Sequence, residues 1–201
     1  WESADDGTEQ CPDWTIEPDG TCYRCYVAVY EHHVTAAVAY GIYNYAKITK
    51  DKDFLYSQGA EILTETARFW ASRCEYVAEK DRYEITQVTG PDEWHEPVDN
   101  NLYTNYLARW NLRYVSKLVE EMKENRPEAY RALVEKTGIS DEEIQSWKQV
   151  QEKIYLPRKE GTDLLEQFEG YFELDDVTIE KYDENDWPVR PEALKTKRAR
   201  E

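Results

Sequence analysis

The residues best equipped for chemistry lie between Gly90 and Asn105. Within these sixteen positions stand four carboxylates (Asp92, Glu93, Glu96, Asp99), one imidazole (His95), three amides (Asn100, Asn101, Asn105) and two large aromatics (Trp94, Tyr103). Gly90-Pro91 opens the stretch and restricts the backbone, so the acids that follow project from a defined place. Such a set suits a sugar site. Carboxylates and amides pair with hydroxyls, aromatic rings stack on pyranose faces, and one carboxylic acid protonates a departing glycosidic oxygen. The same residue types also describe an acidic surface loop that caps a helix, with Asp99 or Asn100 as the cap.

Cysteine and histidine offer a weaker signal. Cys22 and Cys25 form one C-x-x-C, with Cys11 and Cys74 apart from it. Structural zinc needs two such pairs or a Cys–His complement, and the adjacent His32 and His33 point about 100° apart on a helix. We therefore assign no metal and no cofactor. The cysteines read as thiols of a reducing, cytoplasmic compartment. A Cys22–Cys25 redox pair would need a βαβ pattern that the neighbouring sequence lacks.

The elements that must position the 90–105 stretch are helical. Residues 1–29 carry turn signals and no lasting period, and read as an irregular loop region. Val34, Ala37, Val38, Gly41, Ile42 and Tyr45 recur at helical spacing to about Ile48. A second helix is predicted from Phe54 to Tyr76, antiparallel to the first because the link between them is short. Tyr83, Ile85 and Val88 predict an extended segment or small hairpin within 77–89. A third helix runs from Asn101 to Asn125, and a fourth starts at Pro127 and ends before Gly138. Ser140 and Glu143 read as a capping box opening a fifth helix to Ile154. Residues 30–155 are thus helical hairpins, and 156–201 mostly a loop tail ending in a basic stretch. The fold class expected is all-α, in a single piece.

Composition narrows the partners. The 201 residues hold 25 basic and 42 acidic side chains, a net charge of −17. Such an acid excess disfavours a phosphate backbone as partner, and no run of about 20 apolar residues exists to cross a bilayer. No signal peptide is recognisable. The chain opens at Trp1 and its only methionine is Met122, so it reads as a processed or excised piece.

The motifs are recognisable in combination. Gly90-Pro91-Asp92-Glu93-x-His95-Glu96, followed by Asn100-Asn101-x-Tyr103-Thr104-Asn105, resembles glycoside hydrolase family 65, which holds inverting disaccharide phosphorylases and some hydrolases. Trp1-Glu2-Ser3-Ala4, Glu31-His32-His33, Thr66 to Arg73 and Glu166-Gln167-Phe168-Glu169-Gly170 are similar to further strings of that family, in consistent order along the chain. The resemblance implies part of an (α/α)6 barrel, incomplete here because five or six helices do not close a twelve-helix toroid.

It also implies roles. Glu93 falls on the family's general acid, and inorganic phosphate is the co-substrate and nucleophile, so no second protein carboxylate is needed. Trp1, Glu2 and residues 27–33, with His32, would lie near the acceptor sugar. His95 is a candidate to bind a hydroxyl or orient Glu93, or to make a structural bond in the loop. Glu96 is a candidate sugar contact, although it and Asp99 read more readily as supporting or capping groups. Glu169 is an alternative acid that we read as structural. The chain departs from kojibiose-type members at Val27-Ala28-Val29, where they carry Thr-Gly-Asp, and at Trp94, where Tyr or Phe is usual; both bear on linkage rather than reaction class.

The expected function is a piece of an inverting α-glucoside phosphorylase that releases β-glucose 1-phosphate. The alternatives are an α-glucosidase or trehalase-like hydrolase, and a carbohydrate-binding module without turnover. The expected partners are a glucose disaccharide, phosphate, and either a second copy or the remainder of the catalytic domain.

Overall fold

The computed structural model describes residues 3, 5–8, 10–16, 18, 20–189 and 199–200. Trp1 and Glu2, two of the expected sugar contacts, lie outside the described residues.

Two helical hairpins form the body. The first is α2 (His33–Thr49), followed by the short α3 (Lys52–Phe54), a π-helical stretch (Leu55–Gly59) and α4 (Ala60–Arg73). The second is α5 (Leu102–Asn125), α6 (Pro127–Thr137) and α7 (Asp141–Lys153). Ring contacts fix how they lie. His33 meets Tyr103 at 5.5 Å, Tyr40 meets Trp110 at 5.2 Å and Tyr43 meets Tyr114 at 5.1 Å, so α2 and α5 run parallel. Contacts to α4 and α7 run the other way. Tyr56 pairs with Glu121 and Thr66 with Asn111; Lys123 pairs with Asp141, and Asn105 reaches Tyr155. The N-termini of α2 and α5 therefore share one end of the body, and the 85–100 loop sits there. This arrangement is consistent with a fragment of a helical toroid.

The core is the apolar stripe that the 3.6 period predicts. Leu63, Ala67 and Trp70 of α4 interlock with Leu112, Val115, Val119 and Met122 of α5 and Trp147 of α7, all essentially without exposure. Each such aliphatic side chain contributes about 1.5–3 kcal/mol by leaving water. Pro127 occupies the first turn of α6, and Gly138 ends it at φ 67°, a left-handed position where glycine carries no Cβ penalty. The helix expected from Phe54 to Tyr76 stops at Arg73, because Glu75–Val77 leaves as a strand.

The all-α expectation needs amendment at the edges. β1 (Trp14–Ile16) pairs antiparallel with β2 (Cys22–Arg24), so the 1–29 region carries a hairpin and then the one-turn α1 (Val27–Tyr30). β3 (Glu75–Val77) pairs antiparallel with β4 (Arg82–Glu84), the small hairpin expected within 77–89, opening two residues earlier than expected. β5 (Asp175–Asp176) and β6 (Ala199–Arg200) make a short parallel contact in the tail. Only half of the predicted capping box forms. Ser140 Oγ accepts the Glu143 amide at 3.2 Å, but the Glu143 carboxylate turns to Arg68 with contacts of 2.6 and 2.9 Å. A guanidinium fork holds a carboxylate more strongly than one backbone amide does.

Candidate active site

The loop between β4 and α5 is built around asparagines. Asn101, rather than Asp99 or Asn100, is the N-cap of α5, its Oδ1 accepting the Thr104 amide at 3.0 Å. Asn100 stands before it at φ 51°, a left-handed position that asparagine tolerates better than most residues. Its buried amide joins three segments. Oδ1 accepts from the Ile85 amide at 3.1 Å and from Asn105 at 3.2 Å, and Nδ2 donates to Glu169 at 2.7 Å. Gly90 is required by proximity, since a Cβ there would overlap the Asn101 side-chain amide. Reciprocal backbone bonds of 2.9 Å between Val88 and Val98 close the neck of the loop, and the Glu96–Pro97 bond is cis.

Beyond that neck the acidic residues separate by role. Asp92 turns inward. One oxygen accepts His95 Nδ1 at 2.8 Å and a bond from Gln167, and the other accepts the Trp94 amide at 2.9 Å. Burial works to raise the Asp92 carboxyl. The hydrogen bonds from His95, Trp94 and Gln167, with the charge of His95, outweigh it and hold the group below its ordinary value. His95 is buried and packs on Phe168 at 5.2 Å and Tyr171 at 6.3 Å. Glu96 accepts the Thr89 hydroxyl at 3.1 Å, and Asp99 accepts the Gln87 amide at 2.8 Å. Glu93 and Asp99 are the exposed members of the four; Asp99 is tied to the Gln87 amide, whereas Glu93 makes no hydrogen bond among the described residues.

Glu169 is held from two sides, by Arg82 at 2.7 Å and by Asn100, and Arg82 in turn lies 3.4 Å above the Tyr155 ring. Both of its carboxylate oxygens are thereby engaged.

His32 lies away from this loop. It lines a cavity of about 520 Å³ with Val27, Ala28, Glu31, Val34, Thr35 and Phe69. Arg73 Nε donates to its Nδ1 at 3.1 Å, which leaves Nε2 to donate to the Val29 carbonyl at 2.9 Å. Burial lowers the His32 pKa, and the Arg73 charge lowers it further, so the ring is held neutral. The cavity and the loop are joined through α1 and α2: the Thr89 amide donates to the Tyr30 carbonyl at 2.9 Å, and His33 bridges the Thr89 carbonyl and Glu31 at 3.3 Å each.

The structure keeps Glu93, His95 and Glu96 on one loop and places His32 in a separate cavity, linked to the loop through Tyr30, His33 and Thr89. Two residues escaped assignment from sequence. Gln167 and Arg73 lie inside strings that were legible only as strings. Their roles depend on contacts with Asp92 and His32, 75 and 41 positions away.

Residues 1–200 match the model of the glycosyl hydrolase family 65 central catalytic domain. The chain is 52% identical to a kojibiose phosphorylase of Caldanaerobacter subterraneus subsp. tengcongensis, over 96% of this chain and 25% of that protein. It is 38% identical to an alpha,alpha-trehalose phosphorylase of Thermoanaerobacter brockii, over 79% of this chain and 21% of that one. A solved structure described as a candidate kojibiose phosphorylase from the human microbiome superposes with a TM-score of 0.69 at 27% identity, covering 82% of this chain and 23% of the other. The chain spans about a quarter of the length of the curated relatives it matches. With a family model matched from end to end and the loop motifs in place, the chain belongs to glycosyl hydrolase family 65.

Proposed function

We propose that this chain is the acid-bearing part of an inverting α-glucoside phosphorylase, an arc of an (α/α)6 barrel. Glu93 is its general acid. The observation that carries this reading is the outward stance of Glu93 on a loop whose other acids are engaged in holding it. An acid must reach the bridging oxygen, and a loop tip between two parallel helix N-termini gives that access.

In the proposed reaction a phosphate oxygen attacks the anomeric carbon of the glucosyl unit. The glycosidic carbon–oxygen bond breaks on the opposite face, and the Glu93 proton passes to the departing oxygen. The products are β-glucose 1-phosphate and the released acceptor. Phosphate is itself the nucleophile, so one protein carboxylate suffices. His95 and Gln167 orient the loop through Asp92, while Glu96 and the His32 cavity contribute to sugar contacts. The phosphate pocket belongs to the remainder of the catalytic domain. Similarity to proteins named kojibiose phosphorylase makes kojibiose the first disaccharide to try.

The test uses the full-length protein with a glucose disaccharide, with and without phosphate. Phosphate-dependent release of β-glucose 1-phosphate, lost in Glu93→Gln, is expected. Glucose release that ignores phosphate would replace this reading with a hydrolase. Full activity in Glu93→Gln would remove the assignment of the acid.

A further inference from the structure

The C-x-x-C spacing singles out Cys22 and Cys25, but the fold brings together a different pair. Cys25 lies just beyond β2, where its amide donates to the Asp13 carbonyl at 2.8 Å and prolongs the β1–β2 ladder. Cys11 arrives from the opposite side of that open end, and the two sulfurs stand 3.4 Å apart. Both side chains are partly accessible. Cys22 sits toward the turn, opposite Ile16, exposed, with its sulfur directed to the Gly20 carbonyl at 3.9 Å. Cys74 is buried in the helical core, and burial pushes its thiol up to about 12. It is shut away from exchange, because only the thiolate reacts.

We propose that Cys11 and Cys25 form a reversible disulfide that staples the base of the β1–β2 hairpin. The oxidant is a small-molecule disulfide of the glutathione class. One protein thiolate attacks a sulfur of that disulfide, breaking its S–S bond and releasing one glutathione thiolate. The second protein thiolate attacks the mixed disulfide and releases the other. Two electrons pass from the protein sulfurs to glutathione, and the two departing thiolates take up the two protons. The ring so closed runs from residue 11 to residue 25 and encloses the exposed Trp14, Ile16 and Tyr23. Val27, two positions past Cys25, lines the His32 cavity, so the staple stiffens the segment that leads into that wall.

The test equilibrates the purified protein in glutathione buffers of increasing oxidised fraction, quenches with acid, and counts thiols after denaturation. The thiol count is expected to fall by two, with a peptide map joining Cys11 to Cys25 and with reversal by dithiothreitol. Cys22→Ser should keep the crosslink, and Cys11→Ser should abolish it. Tryptic cleavage after Arg24 should slow several-fold in the oxidised wild type and stay unchanged in oxidised Cys11→Ser. A Cys22–Cys25 bridge, accumulation of stable glutathione adducts on Cys11 or Cys25, both of these thiols persisting in fully oxidised buffer, or cleavage at Arg24 unaffected by oxidation would each overturn the proposal.

Discussion

Asp92 and His95 clasp each other across Glu93, the carboxylate accepting the ring Nδ1 proton at 2.8 Å. The clasp spans one turn of loop that carries Glu93 and Trp94, and of these Glu93 is exposed to solvent. Asp92 is held below its ordinary carboxyl value of 3.8. A depressed folded-state pKa stabilises the fold above the unfolded value, and that contribution is lost as pH falls through the folded one. Asp92→Asn is therefore expected to lower the melting temperature near neutral pH and to flatten the acid limb of stability below about pH 4. Thermal melts across pH 3–7 check this; an acid limb identical to wild type would contradict it.

Gly90 and Asn101 meet at the start of α5. Asn101→Ala removes the cap and should cost about 1 kcal/mol. Gly90→Ala forces a Cβ into the Asn101 amide and should cost about 1–3 kcal/mol, the range for overpacking. Because both act on the same cap, the double variant should lose less than the two single losses added. Denaturant melts of the three variants decide it, and strict additivity would show that the two residues act separately.

The body of the fold was legible in the sequence because it rests on local rules. Pro127, Gly138 and Ser140 mark their helix ends where the structure has them, and the apolar stripe of α5 fixes its buried face. The 90–105 loop was legible as chemistry but not as architecture. Asn101, expected as the first helical residue, is the cap in place of Asp99 or Asn100, because which amide caps the helix is settled by the left-handed turn at Asn100 and its bonds to Ile85, Asn105 and Glu169. Ile85 and Glu169 are distant in sequence from Asn100, as Gln167 is from Asp92 and Arg73 from His32. Glu143 shows the same limit, its expected local bond yielding to Arg68, 75 positions away.

Under the proposed reaction, Glu169 and Glu93 separate by function. Glu169→Gln weakens the hold on Arg82, and the expected loss is about 1 kcal/mol, at the low end for a charged hydrogen bond because Glu169 is partly open to water. Turnover should stay within a few-fold of wild type. Glu93→Gln should do the reverse, leaving the melting temperature within about 1 °C and removing turnover. Parallel melts and phosphorolysis assays on both variants check the split. Abolished turnover in a fully folded Glu169→Gln protein would move the acid to that residue.

His32 should titrate below its ordinary value of 6.5, because it is buried and faces Arg73. Removing that charge in Arg73→Gln should raise the midpoint while leaving the part due to burial. With the folded pKa depressed, the neutral ring's contribution to stability is present above 6.5 and lost as pH falls through the folded value. Following the His32 ring protons by NMR between pH 4 and 8 gives both midpoints. A wild-type midpoint at or above 6.5, or no rise in Arg73→Gln, would contradict the geometry.

General acids matter only when the leaving group needs a proton, and that gives the most direct measurement. Full-length Glu93→Gln should be assayed with phosphate on a glucose disaccharide and on α-glucosyl fluoride, whose fluoride departs without protonation. Phosphorolysis of the disaccharide is expected to fall by about 10²–10⁴-fold while the fluoride reacts with phosphate at close to the wild-type rate. Equal loss on both donors, or loss on neither, would contradict Glu93 as the proton donor.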